Sequence, residues 1–166
     1  MQIESKRMRH ILSILVVFCG LAAVVFCTAY QYRHYSGKQI QLEDYHELEE
    51  GSYICKIDRI VEDNYQYDDI QGWVVVPGQP ISRYNTSLVL YSDDGFAYAI
   101  PMKMMERDDV TESINDGVDY DMCGFGGRVR KSLLDGRTCY IGFLVDVSGN
   151  EYLIKTGMLY QAEKDS

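Results

Sequence analysis

Histidine is nearly missing from this chain: only His10, His34 and His46 occur, and none lies beyond position 46. Ser-His-Asp and Cys-His catalysis both need an imidazole base beside the nucleophile, so the long C-terminal part is excluded from either. No two cysteines stand at Cys-x-x-Cys spacing, which excludes a zinc ribbon. Cationic surface is short as well. Setting aside the N-terminal Lys6, Arg7, Arg9 and Glu4, totals of 16 cations and 25 anions fall to 13 against 24, a net charge of −11. Nucleic-acid binding needs the reverse, because cations must displace the phosphate counterions. Internal repeats and low-complexity tracts are absent too.

Charge itself is missing from residues 11–30, twenty consecutive positions. At about 1.5 Å per residue such a helix spans roughly 30 Å, the hydrocarbon thickness of a bilayer. The basic flank Lys6, Arg7 and Arg9 predicts a cytoplasmic tail over 1–10 and an extracellular C-terminal domain on a single-pass anchor. A cleaved signal peptide is the rival reading, but the apolar run is long for one. Phe18 and Phe26 precede Cys19 and Cys27, where a lipoprotein would need a small residue. A type IV pilin would need an early glutamate in the apolar helix, and the run has none.

Residues 31–50 are polar and read as a stalk, with Leu42, Tyr45 and Leu48 at helical spacing. From Tyr53 the hydrophobic period becomes two. Short strands are predicted at 53–58, 73–76, 87–91, 96–100, 139–145 and 152–155. The Asp94-Gly95 turn between two apolar runs marks a hairpin. Only 109–115 reads as a brief helical turn. Short strands with turns between them predict an all-β domain over 51–162, an antiparallel β-sandwich, with a small closed barrel as alternative. The four residues 163–166 read as a tail. Cys55, Cys123 and Cys139 read as buried apolar cysteines; the other reading is one disulfide with a thiol left over.

Five short motifs then recur in order: Ile57-Asp58-Arg59-Ile60, Gly72-Trp73, Arg107-Asp108-Asp109-Val110, Gly124-Phe125 and Tyr140-Ile141-Gly142. In these the chain resembles the small β-sandwich accessory domain of bacterial cell-surface polysaccharide and glycosyltransferase systems, chiefly of Gram-positive anaerobes. The resemblance covers roughly residues 55–160. It implies a sandwich of the immunoglobulin-like or carbohydrate-binding-module-like kind, in a protein that contacts cell-surface glycan or a membrane protein. It also singles out Arg107 and Asp109. Our reading of that pair is a structural clasp: Arg107 pairs with a carboxylate and Asp109 caps the helical turn. The alternative makes Arg107 a ligand-binding cation.

Aromatic residues supply the candidate site. The chain has 14 tyrosines, and Tyr65, Tyr67, Trp73, Tyr84, Tyr91 and Tyr98 fall within 34 residues. Flat apolar faces with a polar edge suit sugar stacking and protein interfaces. Trp73 reads as a core residue, and Tyr65, Tyr67 and Tyr84 as the glycan-contacting platform. Aspartate doublets such as Asp68-Asp69 and Asp93-Asp94 do not converge by themselves, since strand neighbours point to opposite faces. The acidic stretch 115–121 does not match the EF-hand spacing. A non-catalytic module with no metal and no cofactor is therefore expected. The alternatives are a structural partner subunit of a membrane complex with no sugar contact, and a weak glycoside hydrolase using a carboxylate pair.

Overall fold

The computed structural model describes residues 2–35, 37–64, 66–80 and 86–162. The chain divides into two compact units, 1–34 and 35–166. The first is one helix, α1 (Gln2–Tyr35). Its segment Leu12–Tyr30 is long and apolar enough to cross a membrane, and none of it is buried against protein. Leu12, Phe18, Val25 and Phe26 are all more than 60% exposed, so the helix is apolar on every side rather than along one stripe. A helix apolar all round is suited to lipid. The hydroxyl of Thr28 donates to the Val24 carbonyl one turn back, which satisfies it without water.

The second unit is built from strands. They are β1 (Lys38–Gln39), β2 (His46–Glu47), β3 (Ile54–Asn64), β4 (Tyr67–Val75), β5 (Ser87–Tyr91), β6 (Ala97–Met105), β7 (Gly124–Arg130), β8 (Thr138–Val147) and β9 (Asn150–Gln161). One short helix, α2 (Asp108–Ile114), interrupts them. The strands form one curled sheet in the order β2-β9-β8-β5-β6-β7-β4-β3, with β1 beside β6. The all-β expectation holds at this level. The sheet is mixed, however, not purely antiparallel: β2 runs parallel to β9, and its residues His46 and Glu47 lie opposite Tyr152 and Leu153.

The curl arises at β6. Its first half, Ala97 to Pro101, pairs with β5, and its second half, Met102 to Met105, pairs with β7. Each half thereby carries its own set of neighbours, and their inner faces meet in one core. Ile70, Val74, Phe125 and Val129 enter it from β4 and β7; Leu88, Leu90, Ile141, Phe143 and Ile154 enter from β5, β8 and β9. The rings of Phe125 and Phe143, one from each side, lie 4.9 Å apart. Burying side chains of this size contributes about 1.5–3 kcal/mol each, which holds the two halves together. Trp73 sits half-buried beside a smaller cluster of Val75, Val110, Tyr120 and Cys123. All five cysteines are free thiols; Cys123 and Cys139 are buried in the domain.

Residues 38–50 are not a spacer. The expected stalk becomes a strap across the outer face of β5, β8 and β9. Ile40, Leu42 and Tyr45 pack there on Val89, Tyr91, Leu144 and Leu153. Ile40 N–H donates to the Ala97 carbonyl and Leu48 N–H to the Leu153 carbonyl. The apolar residues of a mostly polar stretch are what fasten it. The helix expected from their spacing shrinks to one turn of 3-10 helix, Leu42–Asp44, because short ladder pairings at β1 and β2 hold the flanks extended.

Three irregularities interrupt the ladders: one lies in β3 between Glu62 and Asn64, opposite Asp68 and Tyr67, and the other two face glycines. Asp58 is an extra residue in β3, between the pairs Ile57/Gly72 and Arg59/Gln71. In β9, Thr156 and Gly157 are extra, opposite the step from Ile141 to Gly142. A bulge presses backbone toward the strand opposite, and in both places the opposing residue is glycine. A Cβ on Gly72 would lie 2.1 Å from the Lys56 carbonyl oxygen, and one on Gly142 would lie 2.6 Å from the Ile154 carbonyl oxygen. Gly72→Ala should therefore destabilise the domain by about 1–3 kcal/mol or more. Gly126→Ala, whose nearest new contact is the Met105 sulfur at 3.4 Å, should stay within about 0.5 kcal/mol. Urea unfolding of both variants checks this, and equal effects would show that the approach at Gly72 is not a constraint.

Candidate functional site

Residues of three of the five motifs, Asp58, Arg107 with Asp109, and Gly124, meet around one guanidinium. The bulge turns Asp58 out of the ladder, and its Oδ2 accepts from Arg107 Nη1 at 2.6 Å. Arg107 Nε and Nη2 donate to the two oxygens of Asp109 at 2.7 and 2.8 Å, a bidentate pair. Gly124 lets the arginine stem pass: a Cβ there would lie 2.6 Å from Arg107 Cγ. The Arg107 side chain is 22% exposed. Its pKa is raised, first by Asp109 and then by Asp58, while the Asp109 carboxyl is held below its ordinary value chiefly by Arg107. One cation faces two carboxylates, so this centre is a poor receptor for an anion. The first residue flanking α2 is Arg107, whose side chain makes no capping bond. The Asp109 N–H is taken by the Asp108 carboxylate. Asp109 lies inside the first turn and does not cap it as expected; both of its carboxylate oxygens are taken by Arg107.

The tyrosine platform is only partly in view. Tyr65 and Tyr84 lie outside the described residues. Tyr67 opens β4, and the Arg128 guanidinium sits 5.1 Å from its ring centroid, so one face already carries a cation. The aspartates mostly serve turns. Asp94 accepts from the Ser92 hydroxyl, from Phe96 N–H and from Arg137. Asp116 accepts from Tyr120 and from the N–H groups of Gly78 and Val118, which lower its pKa. Among the described residues no group of three His, Cys, Asp or Glu side chains could hold a metal.

Among the described residues, two clefts each have a volume of about 410 Å³, within the ordinary range for small-ligand sites of about 300–1,000 Å³. The first opens between β3, β4 and the end of β9. Asp68 lies 6% exposed on the inner face of β4. It accepts from the Tyr160 hydroxyl at 2.6 Å, and Lys131 Nζ stands 3.5 Å from its other oxygen. Lys131 is also paired with Glu62 from β3. Burial raises the Tyr160 phenol, reinforced by its bond to Asp68. This group pairs one cation with two carboxylates and fastens the end of the core. Sequence reasoning missed it, although Asp68 alternates in phase with Ile70 and Val74 and so belongs to the inner face.

The second cleft lies where the strap leaves the sheet. Tyr91 of β5 and Tyr140 of β8 are directly opposite in the ladder, and their rings lie 5.5 Å apart at 31°. Tyr91 is buried and Tyr140 half-exposed, so the pair forms a wall with one accessible ring. Burial raises the Tyr91 phenol, opposed by a bond from the Gly157 N–H at the β9 bulge. The rim is polar: Glu43 from the strap, Ser92 and Asp93 from the β5–β6 turn, and Lys155 from β9. Tyr140 belongs to the fifth motif, yet its role was not foreseen, because nothing in the local pattern shows that β5 and β8 are neighbours.

Neither a protein-family model, nor a curated protein, nor a solved structure matches the chain.

The clasp generates two expectations. Arg107→Ala leaves the solvent-accessible Asp58 and Asp109 without their donor and should cost up to about 1 kcal/mol, read as a lower melting temperature. Asp109 has a folded pKa below its ordinary 3.8. Its contribution is present above that value and is lost as pH falls through the folded pKa. Melting temperature should drop in acid less steeply for Asp109→Asn than for the unaltered protein. An unchanged acid limb would show that Asp109 takes no part in it.

Proposed function

We propose that the chain is a membrane-anchored, non-catalytic binding module of a bacterial cell-surface polysaccharide system, with its strand domain outside the cell and in contact with glycan. The observation that carries the reading is the Tyr91–Tyr140 cleft, which offers an aromatic wall beside hydrogen-bonding groups of the size and chemistry a sugar requires. The anchor is supported by the unburied apolar span Leu12–Tyr30. The orientation is supported by Lys6, Arg7 and Arg9 on its N-terminal side. A sandwich-like arrangement is supported by the shared core between the two halves of the sheet. The polysaccharide context rests on the motif resemblance alone. A non-catalytic role is supported by the engagement of Asp58, Asp68, Asp94, Asp109 and Asp116 with neighbouring donors.

A second reading, a subunit that binds a membrane protein and no sugar, is favoured by one observation. Ile54, Ile60 and Val61 on the edge strand β3 and Leu159 on β9 are 42–64% exposed. Such surface suits a protein partner.

Protease added to intact cells should remove the strand domain and leave the anchor; a protected domain overturns the orientation. Full-length protein in micelles should bind cell-wall glycan and lose binding on Tyr140→Ala with its melting temperature kept. Absence of binding to every cell-wall glycan of the host would favour the partner reading.

A further inference from the structure

Resting on the glycan reading of the Tyr91–Tyr140 cleft, we propose that this site selects by charge: it takes amino sugars bearing a free ammonium group and rejects uronic acids and phosphate-bearing glycans. The wall accounts for affinity toward any pyranose, since the apolar C–H face of a sugar lies flat on an aromatic ring whatever its substituents. Selection must come from the rim. Two carboxylates stand there, Glu43 on the strap and Asp93 on the turn after β5. Glu43 and Asp93 are both exposed. The cation on that rim, Lys155, is already paired with Glu47 at 2.7 Å. An incoming anion therefore meets two carboxylates and a lysine that is already neutralised. An incoming ammonium meets the same carboxylates with favourable sign.

The wider field acts in the same direction. Everything after the apolar span carries a net −11, and like charges are discouraged from approach over about one Debye length, roughly 8–10 Å in ordinary salt. The two carboxylates arise from separate elements, the strap and a hairpin turn, and both line the cleft. Tyr140 itself holds no charge. The site thus separates two tasks, stacking by Tyr140 and sign selection by Glu43 and Asp93. The seam cleft at Asp68 offers no comparable division, because its one cation is already paired with its two carboxylates.

The test uses full-length protein in zwitterionic micelles at mildly acidic pH and low salt, with three probes: a glucosamine tetramer, its N-acetylated form and a galacturonate tetramer. The glucosamine tetramer should bind at least about tenfold more tightly than the galacturonate, with the N-acetylated form between them. Added salt should weaken the first and not the second. Glu43→Gln combined with Asp93→Asn should bring the three within about threefold, while Tyr140→Ala should abolish binding of all three. Equal or tighter binding of galacturonate, still dependent on Tyr140, overturns the charge selection and leaves the glycan reading intact. Glucosamine binding that survives Tyr140→Ala is attraction to the acidic surface at large and overturns the site. No binding of any probe overturns both.

Discussion

Strand β6 changes partners halfway along, and most of the domain depends on that exchange. A strand that kept one set of neighbours along its length would extend a flat ladder, and the sheet would expose its apolar face. Because Ala97–Pro101 belong to β5 and Met102–Met105 to β7, the two halves of the sheet are carried round a shared core. Pro101 stands at the changeover. It lacks the N–H that a continued ladder would use. The packing of Phe125 on Phe143 is the energetic counterpart of the bend, since neither ring would be covered without the opposite half.

Closure of this kind leaves a corner between β3, β7 and α2, and the arginine occupies it. The bulge, the two glycines and the ion pairs are one device. Gly72 admits the pressed backbone, the extra residue Asp58 is swung toward the corner, and Gly124 lets the arginine stem through. A guanidinium suits the position because it fits a carboxylate bidentately while reaching a second one from the same plane. A lysine could not do both.

Several parts of this architecture were legible in the residues. The alternation of Cys139, Ile141, Phe143 and Val145 and the Asp94-Gly95 turn mark β8 and the β5–β6 hairpin, since both signals are local. The charge-free run marks α1 for the same reason. Strand β7 was not legible: three of the four residues Gly124-Phe125-Gly126-Gly127 are glycine, which is depleted in strands, and the close approach of Arg107 and Met105 to Gly124 and of Leu88 to Gly127 is a long-range effect. The strap was hidden by its polarity, because its apolar packing on the sheet comes from Ile40, Leu42, Tyr45 and Leu48, scattered among polar neighbours. Of the candidate site, the excess of tyrosine was legible, but the expectation fell on Tyr65, Tyr67 and Tyr84 and not on Tyr91 and Tyr140. The location of the site was not legible, because the Tyr91–Tyr140 pairing depends on which distant strands become neighbours.

The strap has a consequence for biogenesis. It pairs in parallel with β9, and just beyond it the bond from Tyr53 to the Lys155 carbonyl joins residues 102 apart. During synthesis the strap emerges first and its partner strand last. Ile40, Leu42 and Tyr45 must wait, uncovered, until nearly all of the domain has been made. Long-range closure of this sort makes folding slow, and exposed apolar segments invite wrong associations meanwhile. The charged residues Glu43, Asp44, Glu47, Glu49 and Glu50 interleaved along the strap keep that waiting segment soluble, so the polarity that disguises it as a linker also protects it during assembly.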